Sequence, residues 1–567
     1  MADTLAVPEK TAATASQPRP WLSRKRLFQI HGWLGMSLGG LLFVICFSGA
    51  AAALSHEIDW LVSPAIQVAP AGEYKGWNEW LHAARHAHPD WRPRWITAPQ
   101  NRYFAVDIVM EAPSGLWRHV YINPYTAELK GGTSYFNVQR FLRDFHRLLN
   151  IFVSGLFVVS SFGIVLLFSV VSGLLFYRNF WRNLFQLRLR KGRHALMSDL
   201  HRLVGTWSFI FAAIIAVTGI WYLVEYTTVY TGNYPSPKPL KIAPARQIAL
   251  GPSPELAGPD RMVAAAQKAF PDLKISSLHF PNTVADPALV YGQSATLLVR
   301  DRANTVAVNP FDATVMRVQR ADQMSVGERL QDTADPLHFG DFGGIPSKII
   351  WSLFGMALPA MVLTGAYLSI RQAARDATPA PRWWRIRQWS IWSWAALGIV
   401  AASLYFSVPA ATRYKTPAIP RYTSLGTHTI GPWKVRVEAG KHTARLHFDC
   451  GPEGACEANM KPPTVALADG KPAKMKSWAM YWTAANLAIP ANYNGMLKVL
   501  VDDWSGAKFA ASVAAPREAF ENNATVVPDE GDFTSTGTWF FLIPFLLVMT
   551  AVFVVWMGRF AHWRLPK

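Results

Sequence analysis

The sequence predicts an α-helical polytopic membrane protein. It is built on a duplicated unit of span, small α+β domain outside the membrane and returning span, with an added, mostly-β outside domain. Three observations predict this. Of 567 residues, 51% are apolar and 16% charged, too apolar for an ordinary soluble chain of this length. Six stretches approach the roughly twenty apolar residues that a helix needs to cross a bilayer: 27–54, 147–177, 203–226, 347–370, 389–408 and 537–557. Finally, two sets of positions recur at matching spacing along the chain.

The recurrence runs through four of the spans. His31, Gly35 and Gly49 are spaced as His201, Gly205 and Gly219 are; His146, Gly163 and Gly173 are spaced as His338, Gly355 and Gly365 are. The segments between them also align. HAARHAHPDWRPRWITAP leads to HVYINPYTAELKG, and AAAQKAFPDLKISSLHFP leads to TVAVNPFDATVMRV. Each reads as a helix closed by Pro-Asp, then alternating strands that turn at Asn123-Pro124 or Asn309-Pro310. Two spans per unit give both copies the same orientation and predict a pseudo-twofold axis along the membrane normal.

Charge placement orients the chain. The net charge of +19 is concentrated in alternate loops: Arg24 to Arg26, Arg178 to Arg193, Arg371 to Arg387, and Arg559 to Lys567. The positive-inside rule therefore makes both termini and these loops cytoplasmic, and it argues against a nucleic-acid partner. The resulting division is a disordered cytoplasmic tail (1–26), a first repeat (27–177, outside domain 57–143), a basic loop (178–200), and a second repeat (201–370, outside domain 227–337). A second basic loop (371–388), a fifth span (389–408), a β-rich outside segment (409–535), a sixth span (537–557) and a cytoplasmic tail (558–567) follow. Residues 1–20 lack the apolar run of a cleavable signal, so the first span reads as an anchor. The expected location is a bacterial inner membrane, with lipid around the spans. Cys450 and Cys456, six apart in an oxidising compartment, are expected to form a disulfide.

Ionisable side chains at membrane depth are costly and usually functional. His31 and His201 lie at the cytoplasmic ends of outgoing spans, and His146 and His338 at the outer ends of returning ones. Histidines of one repeat are thus expected a membrane thickness apart, roughly 30 Å, whereas symmetry mates can meet on the axis. Two facing imidazoles with glycines opening space beside them suit the two axial positions of a haem iron, so two pairs predict two haems. Zinc and copper fit less well, since no Cys, Asp or Glu recurs with the histidines. With no CxxCH, the haems are expected to be non-covalent haem b. Arg147 and Arg202, which directly follow two of the histidines, are candidates for the propionates or for headgroup anchoring. His56, matched by Tyr226 in the second copy, is the reserve ligand for the outer haem; His194 matches Arg24.

At these residues the chain resembles the PepSY-associated transmembrane helix family. The resemblance rests on the FHR and LHR openings (Phe145 to Arg147, Leu200 to Arg202) and on LHFGDFGG (Leu337 to Gly344), and it covers about residues 25–375. The outside α+β units look like PepSY domains. Members beside siderophore uptake systems resemble inner-membrane dihaem ferric-siderophore reductases. The resemblance implies that this chain is an oxidoreductase with His31, His146, His201 and His338 as ligands, passing electrons outward to a ferric siderophore or similar ferric chelate and releasing Fe(II). No GxGxxG or GxxxxGK[ST] occurs, so the electron donor is expected to be a separate reductase or membrane quinol. The alternative is a non-catalytic, membrane-anchored binding or regulatory module.

The added segment reads as β. WKVRVEAG, TARLHFDC, GMLKVLVDD and AKFAASV are strand-like runs between turns. A copper-type site from His442, His447, Cys450, Met460, Met475 and Met480 is a weaker expectation than partner docking or substrate shaping.

Overall fold

The structure is a computed structural model. It describes residues 23–89, 91–112, 114–177, 182, 184–233, 240, 257–281, 286–375, 391–411 and, in shorter runs, 419–551 without 450–463, 468–474 and 527–544. In the first repeat α1 (Arg24–Ser37) and α2 (Gly39–Ala53) make one span, bent by 69° at Leu38. After α3 (Ser55–Val62) come α4 (Trp77–Ala87) and four strands, β1 (Arg92–Thr97), β2 (Val106–Glu111), β3 (Trp117–Ile122) and β4 (Leu129–Ser134). The unit closes with α5 (Val138–Leu148) and α6 (Phe152–Phe176).

The second repeat has the same order. It comprises α7 (Gly192–Trp207), α8 (Phe209–Tyr230), α9 (Pro259–Ala269), β5 (Lys274–His279), β6 (Ala288–Gln293), β7 (Asn304–Val308), β8 (Val315–Gln319), α10 (Val326–Phe339) and α11 (Gly344–Arg375). Pro89-Asp90 and Pro271-Asp272 follow α4 and α9, as expected. The expected turns match in detail: Ala127 donates to Asn123 O and Ala313 to Asn309 O, with both alanines at φ 58°.

Each of α6, α8 and α11 is long and apolar enough to cross a membrane, and α1 with α2 makes a fourth such span. Their outward faces carry exposed Ile164, Val171, Ile210, Val217, Leu353 and Leu363, which is the surface a lipid environment accepts. Helix α12 (Ile391–Ala411) lies on the fifth expected span. Of the sixth, residues 545–551 are described and are helical.

The expected runs of histidine followed by span prove to be two-part. Every one of the four histidines lies on a short helix, α1, α5, α7 or α10, separated by a break from the apolar helix that follows. Leu38 and Ser208, the breaks in the outgoing spans, stand at the same 170-residue offset as His31 and His201. Phe152 and Gly344, the first residues of α6 and α11, stand at the 192-residue offset of His146 and His338. Both take positive φ, 59° and 67°. Gly344 tolerates that conformation freely; Phe152 holds it at a cost of about 1–2 kcal/mol.

The two α+β units, expected as separate domains, share one eight-stranded sheet of order β4-β3-β2-β1-β5-β6-β7-β8. Strands β1 and β5 would each be a bare edge in isolation, and antiparallel pairing between them removes both edges. Helices α4 and α9 cover one face over a single core containing Trp80, Ile96, Ile108, Met262, Leu278 and Val290. They also exchange caps. Asp260 Oδ1 and Oδ2 accept from Trp77 N (2.7 Å) and Asn78 N (3.2 Å), while Asn78 Oδ1 accepts from Asp260 N (3.0 Å). Asn78 and Asp260 are equivalent positions, 182 apart, so each helix start satisfies the orphan N–H groups of its twin.

The added segment is β as expected. Strands β9 (Thr423–Ile430), β10 (Trp433–Gly440), β11 (Thr443–Asp449), β12 (Thr464–Leu467), β13 (Met475–Trp478), β14 (Tyr481–Ala488), β15 (Met496–Asp502) and β16 (Lys508–Ala514) form sheets of order β9-β10-β11-β14-β13 and β12-β15-β16. The two sheets share one core. In the membrane-type region the C-terminal helices pack on the first repeat: Asn150 donates to Ser407 Oγ of α12 at 3.0 Å, and Phe545 meets Phe47, Phe141 and Phe145.

Candidate functional site: two histidine pairs

Helices cross between the repeats. Gly163 of α6 meets Gly219 of α8, where a Cβ on Gly163 would stand 2.8 Å from Ala216 O; its counterpart Gly355 of α11 meets Ala50 of α2. These glycines let backbones approach closely, as small residues do between membrane helices. Close crossing brings the short helices of opposite repeats together, and with them the histidines. The ring centres of His31 and His201 are 6.5 Å apart, and those of His146 and His338 6.1 Å apart. All four residues therefore pair as expected, across the repeats.

The imidazoles are also oriented. The Nδ1 of His31 meets Ser172 Oγ at 3.0 Å; that of His201 meets Thr364 Oγ1 at 3.0 Å and Met361 O at 3.1 Å. The Nδ1 of His146 meets Ile45 O at 3.0 Å and Ser48 Oγ at 3.4 Å; that of His338 meets Thr218 Oγ1 at 2.8 Å. Each hydroxyl already donates its own proton to a carbonyl of its helix, namely Ser169 O, Met361 O, Ile45 O and Ile214 O respectively. At His146 and His201 the Nδ1 also meets a carbonyl, which can only accept, so there Nδ1 carries the proton and Nε2 keeps its lone pair; the hydroxyls at His31 and His338 favour the same tautomer. That is the tautomer of a metal-ligating histidine whose other nitrogen is held by the protein.

The ring-centre separations are of the size that an iron held between two imidazoles requires. An iron taking one nitrogen from each of two imidazoles at about 2.0–2.1 Å holds the ring centres roughly 6.3 Å apart, and the two observed separations bracket that value. Glycine makes room for the imidazoles themselves: a Cβ on Gly49 would stand 2.8 Å from His146 Cε1, and one on Gly365 3.0 Å from His201 Cε1. Among the described residues no group of three or more His, Cys, Asp or Glu is placed to hold a metal ion. The donor set is thus two nitrogens per site, which suits a ligand that brings its own equatorial nitrogens.

The vertical spacing differs from expectation. Along α6, Gly163 lies at the level of Gly219, next to the Thr218 that holds His338, and Ser172, nine residues on, holds His31. At 1.5 Å per residue the two pairs are separated along the helix by roughly 14 Å, about half a membrane thickness. The bend at Leu38 and the placement of the histidines on separate short helices draw both pairs inward. Between them lies an apolar plug of Leu166, Phe211, Ala212, Ala216 and Leu358, with Trp351 and Phe354 against it.

The other candidates fare differently. Arg147 pairs with Asp144 (3.3 Å), and Arg202 with the buried Asp199 while lying over Tyr177 at 5.6 Å. Both are therefore held by a carboxylate of their own helix. Arg143 was missed: it lies three residues before His146 and stacks over Phe339, the neighbour of His338, at 5.5 Å. The reserve ligand His56 lies in α3, with Gln100 and Gln139 at its two ring nitrogens at 3.0 and 3.4 Å. Burial, helped by Arg143 and Lys348, pushes its pKa down to about 3. In the added domain His447 is buried against Glu438 at 3.0 Å. Cys450, Cys456 and Met460 lie outside the described residues.

The hydroxyls Ser48, Ser172, Thr218 and Thr364 were also missed, although a signal existed. Ser48 and Thr218 recur at the offset of 170 and Ser172 and Thr364 at 192, inside otherwise apolar spans. No curated protein matches the chain. The model of the PepSY-associated TM region matches residues 28–372, from just before the first histidine to the end of the fourth span. The match covers well over half the chain and all four histidines, so this membrane protein belongs to the PepSY-associated TM region family.

Proposed function

We propose that the protein is an inner-membrane dihaem b-type cytochrome that carries electrons from the cytoplasmic side or the quinol pool to a periplasmic ferric siderophore or similar ferric chelate. Bound haem supplies reversible one-electron chemistry; the chain supplies position. His31 with His201 would hold the haem nearer the basic loops, and His146 with His338 the haem beneath the shared sheet. The observation that carries the reading is the repeated set of facing imidazoles, each with Nδ1 spent on a hydroxyl or carbonyl. A histidine that merely anchors a helix at headgroups needs neither a facing partner nor a fixed tautomer.

The roughly 14 Å step along α6 is short enough for tunnelling, and the apolar side chains between the pairs disfavour a path for ions. The positive-inside rule, applied to the basic loops of the sequence, supports a periplasmic location for the sheet. The test is the absorption spectrum of the purified full chain. A Soret band with α bands that sharpen on dithionite, and two haems per chain, are expected. A colourless protein would overturn the reading in favour of a membrane-anchored binding module.

A further inference from the structure

The shared sheet has a second face, away from α4 and α9, and the strand alternation that buries Ile96, Val120 and Leu278 turns large aromatic residues onto it. At the seam Trp95 and His279 are register partners on β1 and β5, stacked at 5.5 Å and 12°. Trp117 meets Trp95 edge-on at 5.4 Å, Tyr135 meets Trp117 at 5.2 Å, and Tyr291 meets His279 at 4.8 Å. All five rings are partly exposed. None of Trp95 Nε1, Trp117 Nε1, Tyr135 Oη, Tyr291 Oη or the His279 nitrogens makes a hydrogen bond among the described residues. Aromatic side chains with a polar tip normally spend it when they serve only packing.

Two guanidinium groups border this floor, each paired with a carboxylate: Arg94 lies over Trp117 at 5.2 Å and meets Glu111 at 3.5 Å, and Arg140 lies over Tyr135 at 4.8 Å and meets Asp144 at 3.3 Å. Arg140 also ties the floor to the histidine site. It is on α5, and six residues further along that helix, about 9 Å at 1.5 Å per residue, stands His146. The floor exists only because the two units join: Trp95 has Ser277 as its repeat equivalent and His279 has Thr97, so the stacked pair has no symmetry copy.

We propose that this seam floor of Trp95, Trp117, Tyr135, His279 and Tyr291 is the binding site for an anionic ferric chelate whose iron-binding arms are aromatic oxygen donors of the catecholate type. Flat arms stack on the rings and their oxygens take the unspent N–H and O–H donors, while the guanidinium groups of Arg94 and Arg140, shared with Glu111 and Asp144, stand at the border of the bound anion. A tris-hydroxamate chelate offers neither flat aromatic arms nor the charge, because three singly charged arms leave the metal(III) centre neutral. The site rests on the electron-delivery reading for its purpose, since it would hold the acceptor close to the His146 pair.

Binding is measured calorimetrically on the full chain in nanodiscs. The probes are the redox-inert gallium(III) complex of a hexadentate tris-catechol ligand and that of a hexadentate tris-hydroxamate. The tris-catechol complex is expected to bind at least about tenfold more tightly. Trp95→Ala and His279→Ala are each expected to weaken it by about tenfold, and Trp95→Phe, which keeps a stacking ring and loses only the Nε1–H donor, by about threefold. Unchanged circular dichroism and thermal midpoint show that the variants fold, and Tyr291→Phe, which keeps the ring and removes only the hydroxyl, should weaken binding without touching the seam. Equal affinity for the two complexes, no binding of either, or tris-catechol binding indifferent to Trp95→Ala would each overturn the proposal. A haem-loaded protein that ignores the tris-catechol complex defeats this site alone. A colourless protein that still binds it through Trp95 defeats the electron-transfer reading alone.

Discussion

Ile96 and Leu278 occupy the same place in the two repeats, 182 residues apart, and are each other's register partners across the β1–β5 seam. The pseudo-twofold axis therefore passes between them, flanked by Trp95 opposite His279 and Thr97 opposite Ser277. The same axis relates the cap exchange above the sheet and the two histidine pairs below it.

The cap exchange predicts shared stability. Asp260→Ala leaves the first N–H groups of α4 without their acceptor, and Asn78→Ala does the same to α9. Each is expected to cost about 1 kcal/mol, read as a lower thermal midpoint. The double variant should cost less than the sum, because the two residues belong to one network.

Histidine replacement separates the two sites. His31→Ala and His201→Ala should each remove the same one haem, and His146→Ala and His338→Ala the other, so every single variant retains about half the wild-type haem by the pyridine haemochrome assay. His56→Ala should retain both. A variant of the first pair that loses everything would count against independent sites.

The orienting hydroxyls predict a subtler effect. Thr218→Val keeps the shape beside His338 but removes the acceptor of its Nδ1–H. Haem retention at that site is expected to fall by about 10–100-fold, together with a shift in the midpoint potential of that haem only. Ser172→Ala should act likewise on the site of His31.

Glycines divide by what a methyl group would meet. Gly163→Ala drives a Cβ toward the backbone of α8, which cannot yield without separating the helices, and a cost of about 1–3 kcal/mol is expected. Gly173 has nothing within 4 Å of a built Cβ, and Gly173→Ala should be tolerated. Thermal midpoints of the purified variants compare the two.

Asp59 predicts a pH dependence. Its side chain is buried under the first α+β unit, accepting from Ser63 at 3.0 Å. Burial raises its pKa to about 6 against the opposing pull of Ser63 and His119. A carboxyl whose pKa is raised on folding favours the fold below its unfolded value near 4, and that contribution is lost as pH rises through about 6. At 1.36 kcal/mol per unit the loss is at most about 3 kcal/mol. Asp59→Asn should therefore gain stability on the wild type at pH 7.5 and lose the advantage near pH 4. His119 acts in the same direction: although burial opposes it, Asp107 at 2.9 Å raises its pKa, so its share is also present at low pH and lost above it.

Much was legible from residue pattern. Apolar run lengths located the four candidate spans of the two repeats, Pro-Asp and Asn-Pro punctuated the α+β units, and β alternation identified β10, β11, β15 and β16. The recurrence of His31 with His201 and of His146 with His338 was enough to predict the cross-repeat pairs, because duplicated positions in parallel repeats are related by one axis. The breaks at Leu38 and Ser208 were not legible, since an apolar stretch reads the same whether its helix is straight or bent.

Sequence by itself determined the membrane character, the duplication and which histidines belong together, since hydropathy and repeat spacing are one-dimensional properties. Only the tertiary structure decided that two α+β units share one sheet, that the pairs are roughly 14 Å apart along α6, and that Trp95 meets His279. Those outcomes depend on which sheet edges pair and how closely glycine-bearing helices cross. Both are set by backbone contacts between segments distant in the chain.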